Sequence, residues 1–298
     1  MMAIAREGLS LKLARFLKDQ SWQNDATDAG TAQLVCLRGC MVNADGSLSA
    51  KGDPRVYTDH YDDTMVVFGQ KANGVPYLET FKASAKPGLA WIRSPQYARA
   101  NQGCPTVQPG QYRYVRGLHR GHQAMRQASG FPVCVIRDLD DDAQLEVTDR
   151  VDYPMYTGIN IHAGGSSSRV GLNSSGCQVI WGGWGGKPWS AFRRLIFNVA
   201  KAQSVFHYVV ADFLFFGKWH DDGQVGRQFT NLLYGSSGAR VKKLQEALAE
   251  HGYYGSKIID GEFGRVTDEG LRAYQRSLRL QPDGIATAEI RTRLGVAE

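Results

Sequence analysis

The pattern of apolar and polar positions changes its period along the chain. In residues 8–20, Leu9, Leu11, Leu13, Ala14, Phe16 and Leu17 fall at helical steps and predict a short amphipathic helix. Residues 21–58 are rich in Gly, Asp, Asn and Ser, which predicts loops around one short apolar strand at residues 34–37. From residue 63 the period becomes that of strands. Strands are predicted at residues 64–68, 74–82 (after a turn at Asn73 and Gly74), 111–116, 131–137, 144–148, 156–162 and 178–181. Residues 189–202 place Phe192, Leu195, Ile196 and Val199 on one helical face. Residues 206–216 are a long apolar run, read as a strand and its extension. Three- and four-residue steps then return in Val241, Leu244 and Leu248, and again in Leu271, Tyr274 and Leu278. The expected architecture is an α+β multidomain chain, with a mainly β domain followed by a small helical one. Residues 1–58 are a helix and loop extension of the β domain at residues 59–217. A polar linker follows at residues 218–234, and the helical domain occupies residues 235–298, with the boundary near residue 228.

Composition narrows this picture only a little. The 298 residues are 43% hydrophobic and 21% charged, ordinary globular usage that supports a core without disulfide staples. A net charge of +6 favours a polyanionic partner. The basic residues are scattered, so charge alone does not choose between nucleic acid and an anionic cell envelope. Cys36 and Cys40 have no second pair at zinc-finger spacing, and Cys134 lies in an apolar run that suits a buried thiol. The N-terminal residues lack the apolar core of a secretory signal, and no stretch reaches the roughly 20 apolar residues of a membrane span. Synthesis in the cytoplasm without a signal peptide, and no stable membrane insertion, are therefore expected.

The chemistry concentrates between Gly158 and Ile180, where His162 and Cys177 flank a Gly/Ser-rich stretch. A thiol is mostly protonated at neutral pH and needs a base to become a strong nucleophile. The spacing predicts a hairpin-like approach of the two residues. Ser175 and Gly176 permit a tight turn in which the N–H groups of Gly176 and Cys177 face a developing oxyanion. His119 and His122 stand close together upstream. They are read either as solvated turn histidines or, for His119, as a substrate contact. Ser175 and Trp181 are further candidate substrate contacts. Tyr112, Tyr114, Trp184 and Trp189 line either a groove or a core. Asp138, Asp140 and Asp142 alternate like a calcium loop, but Ala143 stands at the sixth position and no Glu at the twelfth, so a solvated turn is expected. Neither metal nor cofactor is predicted.

Two resemblances follow from these motifs. Residues 235–294 resemble the three-helix peptidoglycan-binding domain. The resemblance rests on Gly235-Ser-Ser-Gly238, the helix carrying Val241 to Leu248, His251-Gly-Tyr-Tyr254, Asp260-Gly-Glu-Phe-Gly264, Thr267, Tyr274-Gln275 and Asp283-Gly284. The two Asp-Gly turns suggest an internal duplication, and Thr267 is expected to cap the second long helix. The His162 to Cys177 segment resembles the signature of L,D-transpeptidase-like cysteine enzymes: an upstream His, a spacer, then Ser/Thr-His-Gly-Cys. That resemblance spans residues 60–216 in patches, including Phe81-Lys-Ala-Ser-Ala-Lys-Pro-Gly88. It departs at Ser175, where the family usually has His, and at Val179, where an Arg that holds substrate carboxylate is common.

The resemblance implies Cys177 as nucleophile, His162 as base and the backbone carbonyl of Ala163 as the group that orients it. With no export signal read in the N-terminal residues, hydrolysis is preferred: a cysteine-dependent peptidoglycan peptidase, endolysin-like, that cleaves a stem-peptide amide through a thioester. It would act in the periplasm or cell wall after release or delivery. An L,D-transpeptidase or amino-acid-exchange effector toxin is one alternative, and a non-catalytic wall-binding structural protein is another. The expected partner is bacterial peptidoglycan, not nucleic acid, and the expected state is a monomer. Catalysis in residues 1–228 and wall holding in residues 235–294 are expected to be separable.

Overall fold

The apolar run at residues 31–38 is buried at seven of its eight positions because both of its faces are covered. Ala32, Leu34 and Cys36 face one core with Met65, Val67, Tyr208 and Trp189. Val35 and Leu37 face a second core built with Leu9, Leu13, Phe16 and Leu17 of the N-terminal helix. Each of these four helical side chains contributes about 1.5–3 kcal/mol by burial, while Leu11 on the opposite face stays exposed.

The computed structural model describes residues 2–94 (backbone only for 2–7), 103–140, 142–146, 149–213, 216, 231–255 and 258–296. Helix α1 (Met2–Asp19) precedes strand β1 (Thr31–Arg38) and the small hairpin of β2 (Cys40–Val42) and β3 (Leu48–Ala50). Strands β4 (Asp63–Gln70) and β5 (Pro76–Ser84), the short helix α2 (Leu89–Ile92), β6 (Cys104–Val107), β7 (Gly110–His119) and β8 (His122–Gln127) follow. Next come β9 (Val135–Asp138), β10 (Arg150–Asp152), β11 (Ile161–Ala163), β12 (Gln178–Ile180), helix α3 (Lys187–Arg194) and β13 (Phe206–Asp212). Helices α4 (Ala239–Glu250), α5 (Arg265–Ser277) and α6 (Ala288–Arg293) complete the chain. Eight strands close into a barrel in the order β1-β13-β7-β8-β11-β12-β5-β4, and β10-β9-β6 form a separate small sheet. The fold is α+β, mainly β in its N-terminal part, with helices at the C-terminal end.

The departures from the sequence pattern have local causes. The strand expected at residues 144–148 lies instead at Arg150–Asp152, and residues 147 and 148 lie outside the described set. Asp149 accepts from the N–H groups of Leu139 and Glu146 at 3.4 and 2.8 Å. Strand β6 escaped the pattern because it is a short edge strand carrying Pro105, a residue that edges tolerate. The helix predicted at residues 189–202 begins two residues earlier, with Pro188 in its first turn, and ends in a π turn at Leu195–Val199. Among the described residues no helix is long and apolar enough to cross a membrane.

Helices α4, α5 and α6 enclose their own core of Val241, Leu244, Leu248, Phe263, Leu271, Ile290 and Leu294. The suspected duplication is visible in its hydrogen bonds. Gln245 donates to Asp260 at 2.8 Å and accepts from Gly261 N–H at 2.8 Å. Gln275 repeats the clasp, donating to Asp283 at 2.7 Å and accepting from Gly284 N–H at 3.0 Å. Thr267 is not the cap: the helix starts at Arg265 after Gly264, and the Thr267 hydroxyl instead accepts from Gln245 at 3.1 Å.

A buried seam joins this unit to the barrel. Most of the span read as linker, residues 217–230, lies outside the described residues, as does the boundary placed near residue 228. At its end Leu232, Leu233 and Tyr234 are buried, and Leu233 joins the core beneath α1. Tyr234 stacks on Tyr112 with ring centres 5.4 Å apart. Arg240 donates to the Asp19 carbonyl at 2.8 Å and the Ser21 hydroxyl at 2.6 Å. Asp268 accepts from Tyr153 of the barrel domain and from Arg272 Nε at 2.7 Å. Asp268→Ala strips a buried guanidinium of its partner and leaves the Tyr153 hydroxyl unpaired. It is expected to cost about 3–5 kcal/mol, read by urea unfolding. A loss under 1 kcal/mol would show that the seam does not depend on this network.

Candidate functional site

Strands β11 and β12 run parallel, with Ile161 opposite Gln178 and His162 opposite Val179. The hairpin-like approach expected from the spacing is therefore replaced by a crossover through residues 164–177, the kind of long connection that parallel strands require. Asp59 pins this crossover, accepting from Gly171 N–H with its carboxylate and from Val170 N–H with its carbonyl, each at 2.8 Å. Tyr61 accepts from Gly165 N–H at 2.7 Å. Continuing the register by one residue sets Asn160 opposite Cys177. Since side chains alternate, Asn160, His162 and Cys177 emerge on one face of the paired strands.

His162 Nδ1 lies 2.8 Å from the carbonyl oxygen of Ala163, the orienting group expected from the sequence. A carbonyl only accepts, so Nδ1 carries the proton and Nε2 keeps its lone pair. Burial pushes the imidazole pKa down to about 4, against the raising effect of the Ala163 bond, while His119 and Arg120 push it further down. The ring is thus neutral at neutral pH and able to accept a proton.

Cys177 is only 8% exposed. Its sulfur accepts from Asn160 N–H at 3.4 Å and donates to the Gly158 carbonyl at 3.5 Å. Burial raises the thiol pKa, opposed by the Asn160 N–H and by Arg120. Among the described residues no hydrogen bond joins Cys177 to His162. Thiol and imidazole both rest neutral, so the proton must move during attack rather than before it.

The turn before the thiol differs from expectation in one respect. Gly176 sits at φ 128°, and a Cβ there would come within 2.4 Å of the Pro105 carbonyl oxygen, so only glycine fits. Its N–H donates to Ser174 Oγ at 3.1 Å. The predicted oxyanion role of Gly176 is therefore not available in this arrangement, because its donor is already bonded. Ser174, which the sequence did not single out, also donates to the Cys177 carbonyl at 2.7 Å and so braces the turn from both sides. Ser175 is half-buried, and its backbone carbonyl accepts from the Cys104 thiol at 3.9 Å.

A column of rings covers the base. His119 and His162 stack with centres 4.3 Å apart and planes within 12°. Trp184 lies parallel to His162 at 5.6 Å, and His122 stacks on Trp184 at 4.4 Å. His119 and His122 pair across the tip of the β7–β8 hairpin, where Arg120 and Gly121 both take positive φ. Of the two upstream histidines, His119 is thus brought into the site, and His122 is exposed at the end of the column. Trp181 packs at the edge of the small cluster around Cys177 and donates to the Ser167 carbonyl at 3.0 Å. Tyr112, Tyr114 and Trp189 are core residues. Asn160 was missed although it stands two residues before His162, the strand spacing that puts both on one face.

All five cysteines are buried thiols outside any disulfide. The acidic turn gathers Asp138, Asp140 and Asp149, not Asp142, with carboxylate oxygens within 4.8 Å of one another. These three carboxylates have no hydrogen bond to Cys177 or His162 among the described residues. A groove of about 320 Å³ lies along the seam, lined by Arg38, Tyr234, Asp268, Arg272 and Ile285, and it too is separate from Cys177.

No curated protein and no solved structure matches the chain. Residues 237–294 match the family described as "Putative peptidoglycan binding domain". The match falls on the clasped three-helix unit at the C-terminal end and supports peptidoglycan as a partner of this protein.

Proposed function

We propose that the protein is a cysteine-dependent peptidoglycan peptidase that cleaves an amide bond of the stem peptide. The observation that carries this reading is the His162–Ala163 bond, which frees Nε2 as an acceptor on the strand face shared with Cys177. As Sγ attacks the amide carbon, the thiol proton passes to His162 Nε2. The C–N bond then breaks, the amine leaves with that proton, and a thioester remains. Water attacks the thioester while His162 takes its proton, giving a carboxylate product and the free thiol. Hydrolysis is preferred because water needs no acceptor subsite. An amine in place of water would give cross-linking or amino-acid exchange, as in an L,D-transpeptidase or effector toxin. Digestion of purified sacculi followed by mass analysis tests the reading. New amine and carboxyl ends in equal number are expected. Fragments with only new sugar ends, or no fragments, would overturn it.

A second reading, a wall-binding protein with an inert thiol, is favoured by the burial of Cys177 and its raised pKa. The acid limb of the rate separates the two. With the His162 pKa at about 4 rather than 6.5, kcat/KM is expected to hold down to pH 5 and fall as pH drops through about 4. The unfolded chain binds the proton more readily between these values, so folding stability is fully present above the unfolded value. On the order of 3 kcal/mol of it is lost as pH falls from 6.5 to about 4. An acid limb near 6.5 would exclude His162, so buried, as the base.

A further inference from the structure

Asn160 touches both sides of the site. Its backbone N–H holds the Cys177 sulfur at 3.4 Å, and its side-chain Nδ2 lies 2.9 Å from His119 Nδ1. The side chain is buried, at 5% exposure, and its Oδ1 has no hydrogen-bond partner. An amide nitrogen of this kind only donates, so His119 Nδ1 accepts and the proton of the neutral ring sits on Nε2. His162 has the opposite tautomer, with its proton on Nδ1. Two parallel imidazoles 4.3 Å apart therefore present different Nε2 atoms, a lone pair on His162 and an N–H on His119. Burial, Arg120 and Arg126 all push the His119 pKa down, which keeps the ring neutral near neutral pH. The His119 side chain is only half-buried.

We infer that His119 is a catalytic hydrogen-bond donor, its Nε2–H directed to the carbonyl oxygen of the amide under attack, and that Asn160 is the residue that positions it. A neutral imidazole can polarise a carbonyl in this way without giving up its proton. The inference rests on the proposed cysteine mechanism, and it supplies a donor where the Gly176 N–H is already spent on Ser174. It also gives the stacked pair a division of labour: His162 moves the thiol proton, and His119 holds the oxygen on which charge develops.

Three variants of the full-length chain test this. His119→Phe keeps a ring against His162 but removes the N–H. Its kcat on soluble muropeptide is expected to fall on the order of 100-fold with little change in KM. Alkylation of Cys177 by iodoacetamide, which has no need of a polarised carbonyl, should stay near the wild-type rate. His119→Gln restores an N–H and should recover part of the lost kcat. Asn160→Asp keeps the backbone bond to Cys177 but turns the side chain into an acceptor. Histidine 15N NMR should then show the His119 proton moved from Nε2 to Nδ1, with kcat lowered. The wild-type tautomer is read without substrate, so failure to cleave walls counts against the proposed function alone. A wild-type His119 proton on Nδ1, or full turnover in His119→Phe, would overturn the inference.

Discussion

Cys177→Ala is expected to release no peptide from sacculi, a loss of at least about 10,000-fold, because removing the nucleophile of a catalytic unit leaves only binding and polarisation. The same variant should still sediment with sacculi, since the match to the peptidoglycan-binding family lies at residues 237–294, across the seam from the thiol. Its fold should be unchanged: the side chain is small, and the turn around it is braced by Ser174 and Gly176 rather than by the sulfur. Equal circular dichroism and equal sedimentation with lost cleavage is the expected pattern. Wild-type cleavage by the folded variant would remove Cys177 from the mechanism and leave the inert-thiol reading.

His162→Ala is expected to lower turnover by roughly 100- to 10,000-fold, the usual range for losing a general base. The neutral state of the resting pair makes this loss severe, because no preformed thiolate exists to carry residual attack. What activity remains should lose the acid limb near pH 4, since the group that titrates there is gone. Retention of that limb with near-normal turnover would transfer the role to another group, with His119 the nearest ring.

The parts legible in the sequence are those written in short-range residue order. The Asp260-Gly261 and Asp283-Gly284 turns, each with its upstream Gln, identify the C-terminal helices because every contact of the clasp is local. Cys177 with Ser175 and Gly176 before it, and His162 followed by Ala163, stand out for the same reason. The strands of the barrel were mostly legible too, since alternation and β-branched runs mark them one at a time. Their pairing was not. The parallel register of β11 and β12 depends on Asp59 and Tyr61, about a hundred residues upstream of the crossover that they pin. The roles of Asn160 and Trp184 come from stacking and tautomer geometry that no spacing encodes. The seam was hidden because its partners are ordinary surface types: Asp268 and Arg272 are buried at the junction, and Arg240 and Tyr153 are half-buried there.

Trapping the covalent intermediate tests the central claim most directly. Full-length protein mixed with a soluble muropeptide, quenched in acid within the first turnover and measured by intact mass, should carry one stem-peptide acyl group. Peptide mapping should place it on Cys177, and neutral hydroxylamine should release it. The Cys177→Ala variant should carry none. Accumulation of cleaved peptide with no acyl group on Cys177 at any quench time, and with Cys177→Ala cutting at the same rate, would contradict the account.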